Sequence, residues 1–167
     1  MTGTKPSKSV KKRALNALQE LGERLIQLND AQLAAIDLDL QLLEAVQAAQ
    51  KMRSHGALRR QKQLIGKIMR GVDPAPIQSA LDSFAQQGRA AQTLFRKSEA
   101  WRDRIAADGP DALSEFFVEI GCHNDQLEQA LREYGAARDA QKKKHIKRRI
   151  FREVHGELAI MLQKTRR

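Results

Sequence analysis

One segment of this 167-residue chain combines a clear helical period with charges of a single sign. Between Lys51 and Val72 there are seven Lys or Arg residues and no Asp or Glu. At about 100° per residue, its apolar side chains fall within an arc of about 140°, and most of its cations lie opposite. The pattern predicts an amphipathic helix with one face in a core and the other presenting fixed positive charge. The apolar face comprises Leu58, Leu64, Ile65, Ile68, Met69 and Val72, and the basic face comprises Arg59, Arg60, Lys67 and Arg70.

Residue usage across the whole chain favours helices over strands. Aromatic residues make up 4% of the chain and hydrophobic residues 41%, while Ala, Leu, Gln, Arg and Lys are abundant. These abundant residues form helices well, whereas strands are enriched in aromatic and β-branched residues. The hydrophobic fraction is enough for a modest core in one domain or two small lobes. We therefore predict an all-α protein.

Helical periods and the turn residues between them predict two small helical bundles joined around a long helix. The bundles are expected over residues 9–88 and 89–167, after a mobile basic tail over residues 1–8. The long helix is predicted from Ile77 to about Ala107. Residues that cap helix N-termini stand before the predicted helices, at Ser7 or Ser9, Asp37 or Asp39, Asp73, and Asn124 or Asp125.

Three local expectations bear on the candidate surfaces. Ser54-His55-Gly56 is predicted to be a tight turn before the basic helix, with Gly56 as a C-cap. The last helix is predicted from about His145 to Gln163, which leaves Lys142–Lys144 outside the packed region. Phe95 is expected on the buried side of the long helix.

The formal charge of +10 is unevenly distributed along the chain. Three basic blocks alternate with two acidic ones, which concentrates positive potential on particular helices. A charged helix face is usually only solvated, but residues 51–72 contain no carboxylate that would relieve their repulsion at i,i+4 spacing. A polyanion partner would offset this repulsion. Net charges are +4 over residues 1–29, −4 over 30–50, +7 over 51–72, 0 over 73–109, −5 over 110–139 and +8 over 140–167.

The sequence also narrows the kind of polyanion. Membrane-surface helices usually carry Trp or Phe on the apolar side, and the apolar face of the basic helix has neither. No recognisable helix-turn-helix, zinc or zipper module is present for reading DNA sequence. Single-strand binding uses interleaved aromatic rings, and the basic segments contain only Phe151. The pattern therefore favours recognition of structured RNA by its phosphate backbone and shape.

Sequence motifs for catalysis or metal binding are absent. There is no phosphate-binding Gly-rich loop, no Cys-x-x-Cys pair and no His-Glu-x-x-His motif. Cys122-His123-Asn124-Asp125 is the nearest approach to a metal site, and it is better explained as a loop before a helix cap. We predict no catalytic residue, metal or cofactor. A single Cys, no apolar run long enough to span a bilayer and no secretory signal predict a soluble cytoplasmic protein.

The string from Ser54 to Arg70 reads SHGALRRQKQLIGKIMR. It resembles the most characteristic segment of the dual-action ribosomal maturation protein family (DarP, also called YjgA). The resemblance extends to the N-terminal region through PSKS over residues 6–9 and ALQELG over residues 17–22. It continues in the middle through Asp73-Pro74 and Trp101-Arg102-Asp103-Arg104. The shared residues include Gly, His, Gln and Trp as well as common helix formers.

This resemblance implies a small helical bacterial protein that associates with precursors of the large ribosomal subunit and their rRNA. It would assist late maturation as a binding factor without an active site. Apart from the resemblance, we predict a monomer with no membrane partner and no small-molecule substrate. The C-terminal third departs from the family pattern. Ile120-Gly121-Cys122-His123 replaces an expected Tyr-Pro turn, and Lys142-Lys143-Lys144-His145 replaces an expected Lys-Pro-Pro-Lys stretch.

The basic candidates for RNA binding follow from the charge pattern. The resemblance implies a functional role for Arg59, Arg60, Gln61, Lys67 and Arg70, and for Lys8, Lys12 and Arg13. Two other functions stay open, namely a general nucleic-acid-binding, nucleoid-associated protein and an RNA-processing enzyme that uses His55 or His145. Equal affinity for duplex DNA would favour the first, and His-dependent or metal-dependent RNA cleavage the second. The candidates are Lys8, Lys12, Arg13, Arg53, Arg59, Arg60, Gln61, Lys67, Arg70, Lys142, Lys143, Lys144, Lys147, Arg148, Arg149 and Arg152.

Overall fold

The computed structural model describes residues 7–165, and helices account for all of the regular structure in that range. Between these residues the chain forms eight α-helices and one 3-10 turn, and no strand. The all-α prediction is confirmed. The helices are α1 (Lys8–Leu25), α2 (Asp30–Ala34), α3 (Leu40–Lys51), α4 (His55–Ile68), α5 (Pro74–Asp108), α6 (Pro110–Ile120), α7 (Asp125–Ala136) and α8 (Ala140–Thr165), with the 3-10 turn at Met69–Gly71.

The chain divides into two compact units, one ending at Gln86 and the other beginning at Gln87. The sequence-based boundary between residues 88 and 89 lies two residues from this division. Each unit has its own hydrophobic core, and α5 contributes residues to both. Residues 1–6 of the predicted tail lie outside the described residues, and Lys8 already belongs to α1. Within the described part of the chain, no helix has the length and apolar character needed to cross a membrane.

Side-chain caps fix where several helices begin, as the sequence predicts. The Asp39 carboxylate accepts a hydrogen bond of 2.8 Å from the Gln41 N–H, and the Asn124 side chain accepts one of 3.0 Å from the Leu127 N–H. Asp73 accepts a bond of 3.0 Å from the Ala75 N–H. In each case a side-chain oxygen satisfies a backbone donor that has no partner inside the helix.

Two predicted boundaries are wrong. The helical hydrogen bonds of α4 begin at the Ser54 carbonyl, which accepts from the Leu58 N–H at 2.9 Å, so His55 and Gly56 form its first turn. The predicted turn is therefore shorter and ends at Ser54. The last helix begins at Ala140, because Asp139 caps it by accepting a bond of 2.7 Å from the Lys142 N–H. Consequently the Lys142–Lys144 stretch is helical.

In the first unit, α1 and α4 pack together through a glycine on each helix. A Cβ atom added at Gly22 would lie 2.6 Å from Ile65 Cγ2, and one added at Gly66 would lie 3.0 Å from Gln19 Cγ. Gly22 has no room for a Cβ atom unless Ile65 shifts, and a Cβ atom at Gly66 would be tight against the side chain of Gln19, so the helices approach closely. Ile65 and Met69 are completely buried in this contact. Leu64, which the sequence places on the apolar face, is 44% exposed because it lies at the edge of that face.

The core of the second unit is built around α8 and the C-terminal part of α5. Four α8 residues at helical spacing are buried, namely Ile146, Ile150, Val154 and Leu158. The rings of Trp101 and Phe116 meet edge to face with centroids 5.2 Å apart. This packing holds α8 with its predicted apolar stripe inward, and its opposite face is left to polar residues.

The close approach of α1 and α4 yields a stability prediction. Gly22→Ala should lower the free energy of unfolding by about 1–3 kcal/mol, because the new methyl group would force the buried Ile65 to shift. Gly66→Ala should cost less, since its nearest neighbour is the side chain of Gln19. The measurement is denaturant unfolding followed by helical circular dichroism.

Gly156→Ala in α8 is the matched control, because nothing lies within 4 Å of a Cβ atom at that position. There the gain in helix propensity should stabilise the protein by about 0.5–1 kcal/mol. If Gly22→Ala were as stable as Gly156→Ala, the two helices would not pack as closely as described.

Candidate nucleic-acid interface

The basic face of α4 is exposed and its cations have no protein partners. We call Arg59, Arg60, Lys67 and Arg70 the α4 surface, and all four are exposed. None of them forms an ion pair or a side-chain hydrogen bond within residues 7–165. Their charges therefore remain available to an external anion.

Lys62 has a different environment from the α4 surface. Its ammonium lies 2.8 Å from Glu23 Oε2 on α1, and Gln19 donates a second hydrogen bond of 2.9 Å to the same carboxylate. The hydrogen bond from Lys62, with that from Gln19, lowers the pKa of the Glu23 carboxyl below its ordinary value. The sequence places Lys62 near the edge of the apolar arc, and the structure explains this position by a bridge between two helices.

Gln61 also has a contact inside the first unit. Its side-chain amide donates a hydrogen bond of 2.8 Å to the Ala45 carbonyl and so links α4 to α3. Gln61 is only partly exposed, and a role in RNA binding stays a prediction. Arg53 lies in the short connection between α3 and α4 and is exposed.

The N-terminal half of α1 extends from the packed part of the first unit. Every residue from Ser7 to Ala17 is exposed, and the buried residues of this helix begin at Leu21. Lys8, Lys12 and Arg13 therefore lie on a solvated helical segment. The sequence assigns Leu15 to the apolar arc, but it is 41% exposed because the helix has not yet reached the core.

The cations of α8 fall into two groups. In the first group, Lys147 Nζ lies 3.4 Å from Asp103 Oδ1, and Arg149 Nη2 lies 2.8 Å from Glu133 Oε2. The adjacent Arg149 guanidinium lowers the pKa of the Glu133 carboxyl. These two predicted RNA-binding residues thus also stabilise the unit. Lys143 belongs with them, because its ammonium lies 5.5 Å from the centroid of the Tyr134 ring.

The second group has no ionic partner. Lys142, Lys144, Arg148 and Arg152 form what we call the α8 surface, and each is exposed. No ion pair among residues 7–165 involves them. Like the α4 surface, the α8 surface is a row of cations on a single helix, so its backbone geometry fixes the spacing of the charges.

The sequence patterns do not predict the aromatic cluster of Phe95 and Phe151 that lies beside the α8 surface. Phe95 was expected to be buried, but it is 48% exposed. The buried position on that part of α5 belongs to Ser98, whose hydroxyl donates to the Leu94 carbonyl at 2.8 Å and lies 3.1 Å from His155 Nδ1. A buried serine gives no hydrophobic signal. A stricter reading of the spacing from Leu94 through Trp101 would have placed Phe95 beside the apolar stripe.

The Cys122–Asp125 segment forms polar contacts with neighbouring side chains. His123 Nε2 lies 3.1 Å from Asp125 Oδ1, and Asn124 donates a hydrogen bond of 2.7 Å to Glu157. Desolvation and the nearby Glu157 carboxylate raise the pKa of the Cys122 thiol, which disfavours the nucleophilic thiolate. Over residues 7–165, no group of three or more His, Cys, Asp or Glu side chains is arranged to hold a metal ion.

These features define a helical protein whose two units each carry unpaired cations along one helix face. The family model described as dual-action ribosomal maturation protein DarP matches residues 4–155. The chain belongs to this family, which confirms the resemblance seen in its motifs. It is a family of ribosome maturation factors.

Individual relatives agree with the family match. A DarP protein of Thiobacillus denitrificans is 50% identical over 111 residues, covering 66% of this chain and 62% of the relative. One from Nitrosomonas europaea is 42% identical over 150 residues, covering 89% and 83%. One from Idiomarina loihiensis is 41% identical over 148 residues, covering 87% and 86%. The aligned region thus spans less than two thirds of the Thiobacillus protein.

The Glu23–Lys62 bridge generates a pH prediction. Because folding lowers the pKa of Glu23, its contribution to stability is present above the unfolded pKa of about 4.3 and is lost as pH falls through the folded value. Glu23→Gln should therefore lower the free energy of unfolding by about 0.5–1 kcal/mol near pH 7, a range suited to a partly exposed pair. The difference in the free energy of unfolding between Glu23→Gln and the wild type should become smaller at acidic pH.

The measurement is urea unfolding of both proteins at several pH values. Glu20→Gln serves as the control, since Glu20 is exposed on the same helix. A difference between the wild type and Glu23→Gln that did not change with pH would show that the carboxylate charge is not what stabilises the pair.

Proposed function

We propose that this protein is a ribosome biogenesis factor that binds precursors of the large ribosomal subunit and assists their late maturation. It does so by placing basic helices against rRNA. Membership of the family and the printed name of its relatives supply the ribosomal context. The observation that carries the proposal is the α4 surface, where four exposed cations have no ionic partner among residues 7–165.

The chemistry of these side chains suits the RNA backbone. Three of the four residues of the α4 surface are arginines, whose planar guanidinium groups bind phosphate oxygens through two parallel hydrogen bonds. Phosphate contacts of this kind fix orientation and register on folded RNA.

The packing of α4 supports this role. The burial of Ile65 and Met69, with the Lys62 bridge on the flank of the helix, holds α4 against α1, so the α4 surface does not need to become ordered when it binds. A preorganised surface loses less conformational entropy on binding than a flexible basic tail. The exposed N-terminal half of α1 and the α8 surface supply further cations for the same polyanion.

The proposal makes the protein a binding factor without a catalytic step. His55 lies in the first turn of α4 and His145 on α8, and both are exposed. Neither takes part in an ion pair or a side-chain hydrogen bond in the described part of the chain. We further propose that the protein acts in the cytoplasm as a monomer, with no small-molecule substrate and no membrane partner.

Charge reversal on α4 tests the proposal. The double variant Arg59→Glu with Arg60→Glu should abolish co-sedimentation with large-subunit precursors, because two phosphate contacts become repulsive. Helix content should be unchanged, since both side chains are exposed and unpaired. The measurement is gradient sedimentation of ribosomal particles followed by detection of the protein in each fraction.

A matched control is Arg89→Glu with Arg96→Glu, which makes the same charge change at two exposed positions of α5. This variant should still migrate with the precursors. Retained co-sedimentation of the α4 variant would remove the α4 surface from the interface, and equal loss in both variants would show only a response to net charge.

Salt dependence provides a second, independent prediction. The logarithm of the binding constant for precursor particles should fall linearly with the logarithm of salt concentration, by roughly 0.7–0.9 per phosphate displaced. Replacing Arg59 and Arg60 by Gln should reduce the slope by about 2, one for each cation. An excess of duplex DNA should not remove the protein from the particles, whereas efficient competition would favour a nucleoid-associated function.

A further inference from the structure

A groove in the second unit combines aromatic rings with an excess of positive charge. Its volume is about 760 Å³, and it lies between the C-terminal part of α5 and the N-terminal half of α8. Phe95, Tyr134 and Phe151 contribute rings to its lining. Six Lys or Arg residues and a single carboxylate, Asp103, complete the charged part of the lining.

The Phe95 ring is both exposed and held in place. It meets Phe151 edge to face, with ring centroids 5.2 Å apart and an angle of 62° between the planes. Phe151 is itself fixed by the stacked ring of His155, 5.6 Å away, and by the Arg102 guanidinium 5.8 Å from its centroid. Phe95 thus presents a half-exposed ring on a rigid support within the lining of the groove.

Asp103 does not cancel the positive charge of the groove. Its carboxylate accepts two hydrogen bonds from Arg102, at 3.0 and 2.6 Å, and lies 3.4 Å from Lys147. The bonds from Arg102, with Lys147 adding to them, lower the pKa of Asp103. Two cations are therefore used internally, while three others, Lys144, Arg148 and Arg152, line the groove without an ionic partner among residues 7–165.

We propose that this groove binds an unstacked nucleotide of single-stranded RNA. The base stacks on the ring of Phe95, and the adjoining phosphates are bound by Lys144, Arg148 and Arg152. Stacking on an aromatic ring combined with a basic lining is the usual chemistry of single-strand binding. The volume falls within the range of about 300–1,000 Å³ that is typical of small-ligand sites. The identification of that strand as rRNA rests on the proposed function.

Charge and shape together favour this occupant over others. In a paired duplex the faces of the bases are stacked on one another, so they cannot stack on an exposed aromatic ring in a groove. An apolar ligand would not need six cations around it, and an acidic peptide would bind the cations without covering Phe95. A splayed nucleotide satisfies both features, because it carries a π-face and a negative charge on adjoining groups.

The test compares single-stranded and paired RNA on the full chain. Fluorescence anisotropy would measure binding of a labelled oligouridylate of roughly eight nucleotides and of a blunt-ended RNA duplex without unpaired nucleotides. Phe95→Ala should weaken single-strand binding about tenfold, as expected for loss of one base–aromatic stack, and leave duplex binding unchanged. Phe95→Trp should retain or strengthen single-strand binding, because it keeps a stacking surface.

Ile160→Ala is the matched control, since Ile160 is 49% exposed on α8 and does not line the groove. It should bind both RNAs as the wild type does. Equal binding of the oligouridylate by Phe95→Ala and the wild type would overturn the proposal, and so would an equal loss for both RNAs. Circular dichroism of each variant would separate a binding defect from a folding defect.

The two proposals fail in different ways. If Phe95→Ala binds the oligouridylate as well as the wild type does, the nucleotide site is refuted. That result does not affect co-sedimentation of the wild type with large-subunit precursors, so the proposed function would stand. Conversely, a wild type that does not co-sediment but binds the oligouridylate through Phe95 would refute the ribosomal function and retain the groove as a nucleotide site.

Discussion

The packing of α1 against α4 is the interaction on which the first unit and its basic surface depend. A Cβ atom at Gly22 would collide with Ile65 and one at Gly66 would be tight against Gln19, so the two helices approach closely, and Ile65 and Met69 are completely buried. Burial of these two side chains contributes roughly 1.5–3 kcal/mol each. It also fixes the rotation of α4 about its axis. A helix held by one face in this way presents its opposite face in a defined orientation, and that face carries the α4 surface.

Some cations in this protein join helices and others form the α4 and α8 surfaces. The presence or absence of a carboxylate partner distinguishes the two groups. Lys62, Lys147 and Arg149 each approach a carboxylate on another helix and help to join elements. Within the part of the chain that the structure describes, the α4 and α8 surfaces have no such carboxylate, and the repulsion among their charges is a cost to the isolated protein. A polyanion removes that cost and gains new charge-assisted hydrogen bonds. The separation between paired and unpaired cations supports binding surfaces on α4 and α8 more strongly than the total charge does.

Much of the helical organisation could be predicted because it depends on local signals. Apolar residues at helical spacing and side-chain caps at Asp39, Asp73 and Asn124 define the helices within a few residues. What could not be predicted depends on contacts distant in the sequence. Nothing near Gln61 indicates that its amide reaches the Ala45 carbonyl, and nothing near Lys62 indicates Glu23. The sequence predicts Phe95 on the buried side of α5, but Ser98 occupies the buried position there, and its hydroxyl contacts His155, which is distant in the sequence. The same difficulty affects the candidate interface, where the basic residues are visible in the sequence but their pairing is not.

The two basic surfaces differ in what they can recognise, and this difference follows from their neighbours. The α4 surface is bordered by polar side chains such as Gln63 and offers only cations, so it can respond to phosphate position and the shape of folded RNA. The α8 surface lies beside a groove with an exposed ring, which can in addition accept a base. Phosphate contacts alone cannot distinguish a maturing RNA from a finished one of similar shape, whereas a site for an unstacked base can. A nucleotide that is free in an immature particle and becomes stacked or paired on maturation would bind the groove at first and leave it later. Release would then need no chemical step by the protein, because folding of the RNA would remove the ligand.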